Sequence, residues 1–166
     1  MSQIPTDPID RIIQQWSDQR PDLDLLPMAV FGRINRFAAL AGRAIEARLQ
    51  AHLTGGVAEF DVLAALRRAG PPFALTPSDL ARSLMLSPAG MTSRLDRLEG
   101  QGLIERRADP ADRRSMLAAL TDKGRAAVDA AVEGHVANEA ALLAPLSAEE
   151  QALFDGLLRK LLTGFA

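Results

Sequence analysis

Apolar residues along this chain recur mostly at steps of three and four, which predicts helices over most of its length with one short interruption. Asp7 caps and Pro8 opens a first helix to about Arg20, with Ile9, Ile12, Ile13 and Trp16 as its apolar members. A longer helix is predicted from Pro27 to Leu53, where Phe31, Ile34, Ala38, Ala41, Ile45 and Leu49 form a stripe that reads as a buried seam. Gly55 and Gly56 close it.

The middle of the chain is punctuated by turn residues instead of linkers. A helix from Val57 to Ala69 carries Phe60, Val62, Leu63 and Leu66, and Gly70-Pro71-Pro72 stops it. Thr76 caps the next, with Pro77 at its first position and Asp79 three residues past the cap. Ser87-Pro88 repeats the device for a helix reaching Gly102. The pattern then changes: 103–107 and 116–120 read as short strands of a hairpin around the polar loop ADPADRRS. Thr121 opens a helix to about Leu143 with Val128, Val132 and Val136 on one face, and Pro145 breaks it. Ser147 to Glu150 form a capping box for a last helix, along which Leu153, Phe154, Leu157, Leu158, Leu161 and Leu162 make a broad apolar stripe. So much apolar surface on terminal helices of a small chain calls for a partner surface.

Helix, turn, helix, turn, helix and basic hairpin is the order of a winged helix-turn-helix, a DNA-reading arrangement. The expected fold is therefore mainly α with a small β-hairpin wing and added terminal dimerisation helices. Residues 1–53 are expected to serve effector binding and dimerisation, 54–121 to bind DNA, and 122–166 to dimerise.

Composition agrees with this and removes other classes. The 166 residues are 48% hydrophobic and only 4% aromatic, enough for one core and better suited to helices than to a large sheet. With no cysteine there are no disulfides, thiolate metal sites or thiol redox switches. No run approaches the ~20 apolar residues of a membrane span, and the opening MSQIPTDPID lacks a basic start and apolar core, so a soluble, cytoplasmic protein is expected. His52 and His135 stand apart without a catalytic motif and read as surface or packing residues. Neither an enzyme nor a metal or cofactor site is expected. The net charge of −2 argues against a nucleic-acid partner, but the segment from Asp61 to Arg114 holds nine basic and seven acidic residues, a local excess of +2.

The third helix of the central group is the natural groove reader. Ser87 at its cap, with Ala89, Gly90, Thr92, Ser93 and Arg97 following, combines small side chains that allow close approach with hydroxyls and a cation for bases or phosphates. The hairpin loop adds Arg113 and Arg114, with Asp109 and Asp112 near enough in sequence to orient them toward an adjacent minor groove.

The stretch LTPSDLARSLMLSPAGMTSRLDRLEGQGLIERRADPADRRSMLAALTDKGR resembles the core of MarR-type transcription regulators, and the likeness extends less specifically over about residues 30 to 164. It implies a homodimer joined by terminal helices, reading two DNA half-sites about one turn apart. Trp16, Asp61, Arg94 and Arg106 resemble the urate-responsive subgroup, as do the PDLD and GRINR segments. The wider family more often has its arginine one place earlier, where this chain has Ser93. By that resemblance the four residues line a pocket for a small anionic effector such as urate. An aromatic, an Arg fork and a carboxylate suit the face, oxygens and ring N–H of a purine anion. The competing reading makes Trp16 an anchor of its own helix, Asp61 and Arg94 a structural ion pair, and Arg106 a phosphate contact. A different anion, a phenolic acid or a tricarboxylate, and a winged-helix dimer that binds protein instead of DNA, remain as alternatives.

Overall fold

A computed structural model of the chain describes residues 6–110, 112 and 115–165. Its elements in order are α1 (Pro8–Gln19), α2 (Leu26–Gln50), α3 (Gly56–Arg68), β1 (Ala74–Leu75), α4 (Pro77–Ser83), α5 (Pro88–Gly100), β2 (Ile104–Ala108), β3 (Met116–Leu120), α6 (Asp122–Leu143) and α7 (Ala148–Leu162), followed by a 3-10 turn, Thr163–Phe165. The protein is thus mainly helical with one small sheet. Among the described residues no helix is long and apolar enough to cross a membrane.

The chain divides into two compact units, one ending at Ala44 and one beginning at Ile45. In the first, the Asp7 carboxylate accepts from the amides of Ile9 at 2.7 Å and Asp10 at 3.2 Å, and Asp10 accepts from the Asp7 amide in return. Arg33 donates to both carboxylates and so ties the start of α1 to α2. Its guanidinium holds the Asp7 carboxyl below the ordinary carboxylate range. Gly32 faces Ile9, where a Cβ would stand 3.2 Å from the Ile9 side chain. Little of this unit is buried: Ile12, Trp16, Leu26, Phe31, Phe37 and Leu40 are all exposed. The seam expected along α2 is therefore buried only at Leu49; Phe31 lies 62% open because nothing in its own unit covers it.

The second unit holds the core. Leu63 and Leu66 of α3, Leu80 of α4, Met91, Leu95 and Leu98 of α5, Ile104 of β2 and Val128 of α6 are sealed from solvent, in one cluster with Leu49. Five-residue strands β2 and β3 pair antiparallel from Ile104 with Leu120 to Ala108 with Met116, forming the expected hairpin. A third strand, β1, was not foreseen; it pairs Ala74 with Ala119 and Leu75 with Ala118, giving the order β1-β3-β2. Phe73, at φ 56°, turns the chain so that its carbonyl accepts from the Leu120 amide at 3.0 Å and starts this strand.

Each helix of this unit begins where turn chemistry permits. The hydroxyls of Thr76, Ser87, Thr121 and Ser147 accept from the amides of Asp79, Gly90, Gly124 and Glu150. At the other end of α5, Gly102 at φ 68° reverses the chain, and the Leu103 amide donates back to the Leu98 carbonyl at 2.9 Å. This ends α5 two residues before the expected boundary.

Candidate nucleic-acid interface and anion site

Residues of α5 divide by position between core and solvent. Met91, Leu95 and Leu98 point inward at steps of four and three, which leaves Ala89, Thr92, Ser93, Asp96 and Arg97 exposed on the opposite side. Ser87 is exposed at the cap, and Gly90 is half-buried beneath it. Thr92 bonds back to the Pro88 carbonyl at 3.0 Å. Of the expected groove-reading residues, Ser87, Ala89, Thr92 and Ser93 are thus exposed around the amino end of this helix, and Arg97 is exposed in its last turn. The α4–α5 turn that sets its angle contains Met85, at φ 52° and 93% exposed.

Arg113 and Arg114 lie outside the described residues, so their predicted minor-groove role stays an expectation. On either side of them the Asp109 amide donates to the Ser115 carbonyl at 3.0 Å, and the Ser115 amide to the Asp112 carbonyl at 2.9 Å. The base of the wing is tied to α5 by Arg106, which reaches Asp96 at 2.5 Å and Glu99 at 2.6 Å. Asp96 and Glu99 lie three apart on one helix face, a spacing visible in the sequence but not singled out there.

Asp61 and Arg94 come together as neighbours without making an ion pair. Asp61, half-buried on α3, has its carboxyl pushed above the ordinary value of 3.8 by loss of solvent, against the opposing positive fields of Arg94, Arg68 and His135. Arg94 instead donates to the Ala58 carbonyl at 3.1 Å, binding α5 to the first turns of α3. Among the described residues no other hydrogen bond or ion pair engages this guanidinium. His135, on α6, packs its ring 4.9 Å from Phe60 with Nε2 3.3 Å from a Glu139 carboxylate oxygen, while its buried Nδ1 has no partner among the described residues. Packing is thus the role it plays, as expected.

Of the other two residues assigned to the effector, Arg106 is already held by its two carboxylates, and Trp16 lies half-exposed on α1, in the unit that ends at Ala44. Gln15, Trp16 and Gln19 line a surface hollow of about 230 Å³ in that unit. Among the described residues no cluster of three or more His, Cys, Asp or Glu could hold a metal ion.

Comparison with known proteins fits this arrangement. The MarR family model matches residues 54–115, from the α3 cap through the wing loop. The transcriptional regulator PecS of Dickeya dadantii is 43% identical over 150 residues, covering 90% of both chains. The chain belongs to the MarR family. It is a DNA-binding transcription regulator, and regulators of this family act by binding, not by catalysis. Among solved structures, a mutant MarR from E. coli complexed with operator DNA superposes with a TM-score of 0.68 at 26% identity, over 95% of this chain and 99% of that one. BpsR of Bordetella bronchiseptica, whose DNA binding is regulated by 6-hydroxynicotinic acid, superposes with a TM-score of 0.61 at 28% identity, over 78% of this chain and 98% of that one.

Proposed function

We propose that this MarR-family protein acts as a homodimeric repressor released from its operator by a small anionic ring compound, with urate the leading candidate. The observation that carries the effector reading is the environment of Asp61 and Arg94. An arginine presents five N–H donors, and Arg94 uses one bond to the Ala58 carbonyl. Its remaining donors are available to the oxygens of an anion. The Asp61 carboxyl beside it, raised above its ordinary value by loss of solvent, can accept from a ring N–H. Two guanidinium groups and one such carboxyl suit a flat heterocyclic anion better than a flexible tricarboxylate, which would demand cations in number. The regulation of BpsR by 6-hydroxynicotinic acid, itself a ring-nitrogen acid, supports the same ligand class.

Trp16 and Arg106 enter this proposal through the resemblance described above. For Arg106 to hold an effector, its guanidinium must leave Asp96 and Glu99. DNA reading is assigned to Ser87, Ala89, Gly90, Thr92, Ser93 and Arg97 on α5, and to Arg113 and Arg114 at the wing tip. Dimerisation is assigned to the terminal helices, whose apolar side chains remain uncovered in the single chain.

The deciding experiment measures binding to a duplex from the region upstream of the protein's own gene, with and without urate, salicylate and citrate. Urate is expected to weaken binding about 5- to 150-fold, the ordinary range of such coupling, and salicylate and citrate to do less. Arg94→Met and Trp16→Ala should each abolish the urate effect. Release that persists in both variants would place the effector elsewhere, and a stronger response to salicylate would favour the phenolic-acid reading.

A further inference from the structure

The first turns of α3 carry a buried acid for which the proposed function has no use. Glu59 is 1% exposed; its Oε1 accepts from Gln101 Nε2 at 2.7 Å, while Oε2 is buried without a partner among the described residues. The side chain folds over Gly55, where a Cβ would stand 2.4 Å from its Cγ, so the glycine is what admits it. A methionine of similar size would fill this space without leaving a carboxyl oxygen unsatisfied. Packing alone therefore does not account for an acid here. Its one partner shows where it acts, because Gln101 is the residue that caps the carboxy end of α5. The Gln101 carbonyl also accepts from Lys123 Nζ at 2.6 Å, so this end of the recognition helix is gripped from α3 and α6 together.

Seven residues earlier, Arg94 makes a second polar attachment of α5 to α3, at the Ala58 carbonyl. The two attachment points lie two turns apart on one face of α5, about 10 Å along its axis, and end on consecutive residues of α3. Those residues come just before Asp61 in the same helix. The attachments differ in one respect. An anion beside Asp61 competes for Arg94, whereas the Glu59–Gln101 bond involves no cation and is left in place.

We propose that the Glu59–Gln101 bond is the pivot about which the recognition helix turns when the effector draws Arg94 away from Ala58, which makes Glu59 a positioning residue for the release of DNA. The proposal rests on the anion-site reading above. From Gln101 to Ser87 the helix is about 20 Å long, so a rotation of roughly 5° at the pivot shifts the groove-entering end by roughly 2 Å. The buried contacts of Met91, Leu95 and Leu98 are apolar and non-directional, and tolerate such a turn.

Amide hydrogen exchange on the full chain tests the pivot without any effector. Arg94→Met imitates withdrawal of the arginine: amides 90–95 should exchange about 10-fold faster while amides 98–101 stay within about 2-fold of the parent. Adding Glu59→Met should spread the loss to 98–101; adding Glu59→Gln, which can still accept from Gln101, should not. Should Glu59→Met fail to fold, Gln101→Met deletes the same bond from its half-exposed side. In the second arm, the ratio of operator affinities without and with urate should fall below about 2-fold in Glu59→Met and keep its parental value in Glu59→Gln. Equal loosening of both ends by Arg94→Met alone, or no further loosening when the Glu59 bond is deleted, would overturn the pivot. A parent indifferent to urate defeats only the effector assignment, since the exchange arm still decides the pivot.

Discussion

Asp61 sits where solvent loss and neighbouring charge pull in opposite directions, and solvent loss prevails. Because the folded chain binds this proton more tightly than the unfolded chain does, the group's stabilising contribution is complete below 3.8 and is lost as pH rises through its raised folded value. At neutral pH the ionised carboxylate is a cost. Asp61→Asn should therefore unfold at a higher temperature than the parent at pH 7, and the two should converge near pH 3.5, as thermal melts across that interval will show. A residue that costs stability where the protein works is a common mark of a functional site. Met85 presents a different local cost: it is 93% exposed and adopts a left-handed φ of 52°, so it gains nothing from burial while straining the backbone. Met85→Gly should raise the unfolding free energy by about 0.5–1 kcal/mol in urea titration, the relief of strain outweighing the added freedom of the unfolded chain. A loss of stability would mean that the Met85 side chain makes a contact its exposure conceals.

At the scale of elements, turn chemistry was the most legible signal. Asp7, Thr76, Ser87, Thr121 and Ser147 each cap the helix they were expected to start, because a short polar side chain ahead of an apolar repeat has few other uses. The β1 strand was not legible: two residues cannot show a period, and it exists because Phe73 turns the backbone toward β3. The Asp61–Arg94 neighbourhood came from resemblance, and the Ala58 carbonyl that holds Arg94 is main chain, which no residue pattern reveals. Gly124 is a further case. A Cβ there would lie 1.8 Å from the Leu103 carbonyl oxygen, where α6 meets the start of the wing. That oxygen also accepts from the Thr121 amide and hydroxyl, so it has no room to retreat. Gly124→Ala should destabilise the protein by about 1–3 kcal/mol, measured by denaturant unfolding, as an overpacked contact against backbone does.

At the scale of the whole molecule, the difficulty is to reconcile a net charge of −2 with a DNA ligand and an uncovered apolar surface with a stable chain. The homodimer proposed above bears on both: it would cover the apolar helices, and it would present the basic segment twice to one duplex although the net charge doubles. Each unit carries uncovered apolar side chains of its own. The first leaves Leu26, Phe31 and Leu40 open, and the second leaves Leu153, Leu157 and Leu161 open along α7. Buried residues of α3 to α6 do not depend on those side chains, so removing the dimer need not remove the fold. Leu157→Glu combined with Leu161→Glu should sediment as a monomer while still unfolding cooperatively by circular dichroism. Tethering a second reader to the first raises avidity by about 10²–10⁴-fold, so operator affinity should fall by a factor in that range. Binding should also lose much of its salt dependence, because fewer phosphates are neutralised per complex. A variant that stays dimeric would move the interface to other apolar helices, and a folded monomer with parental affinity would show that one winged helix reads the operator unaided.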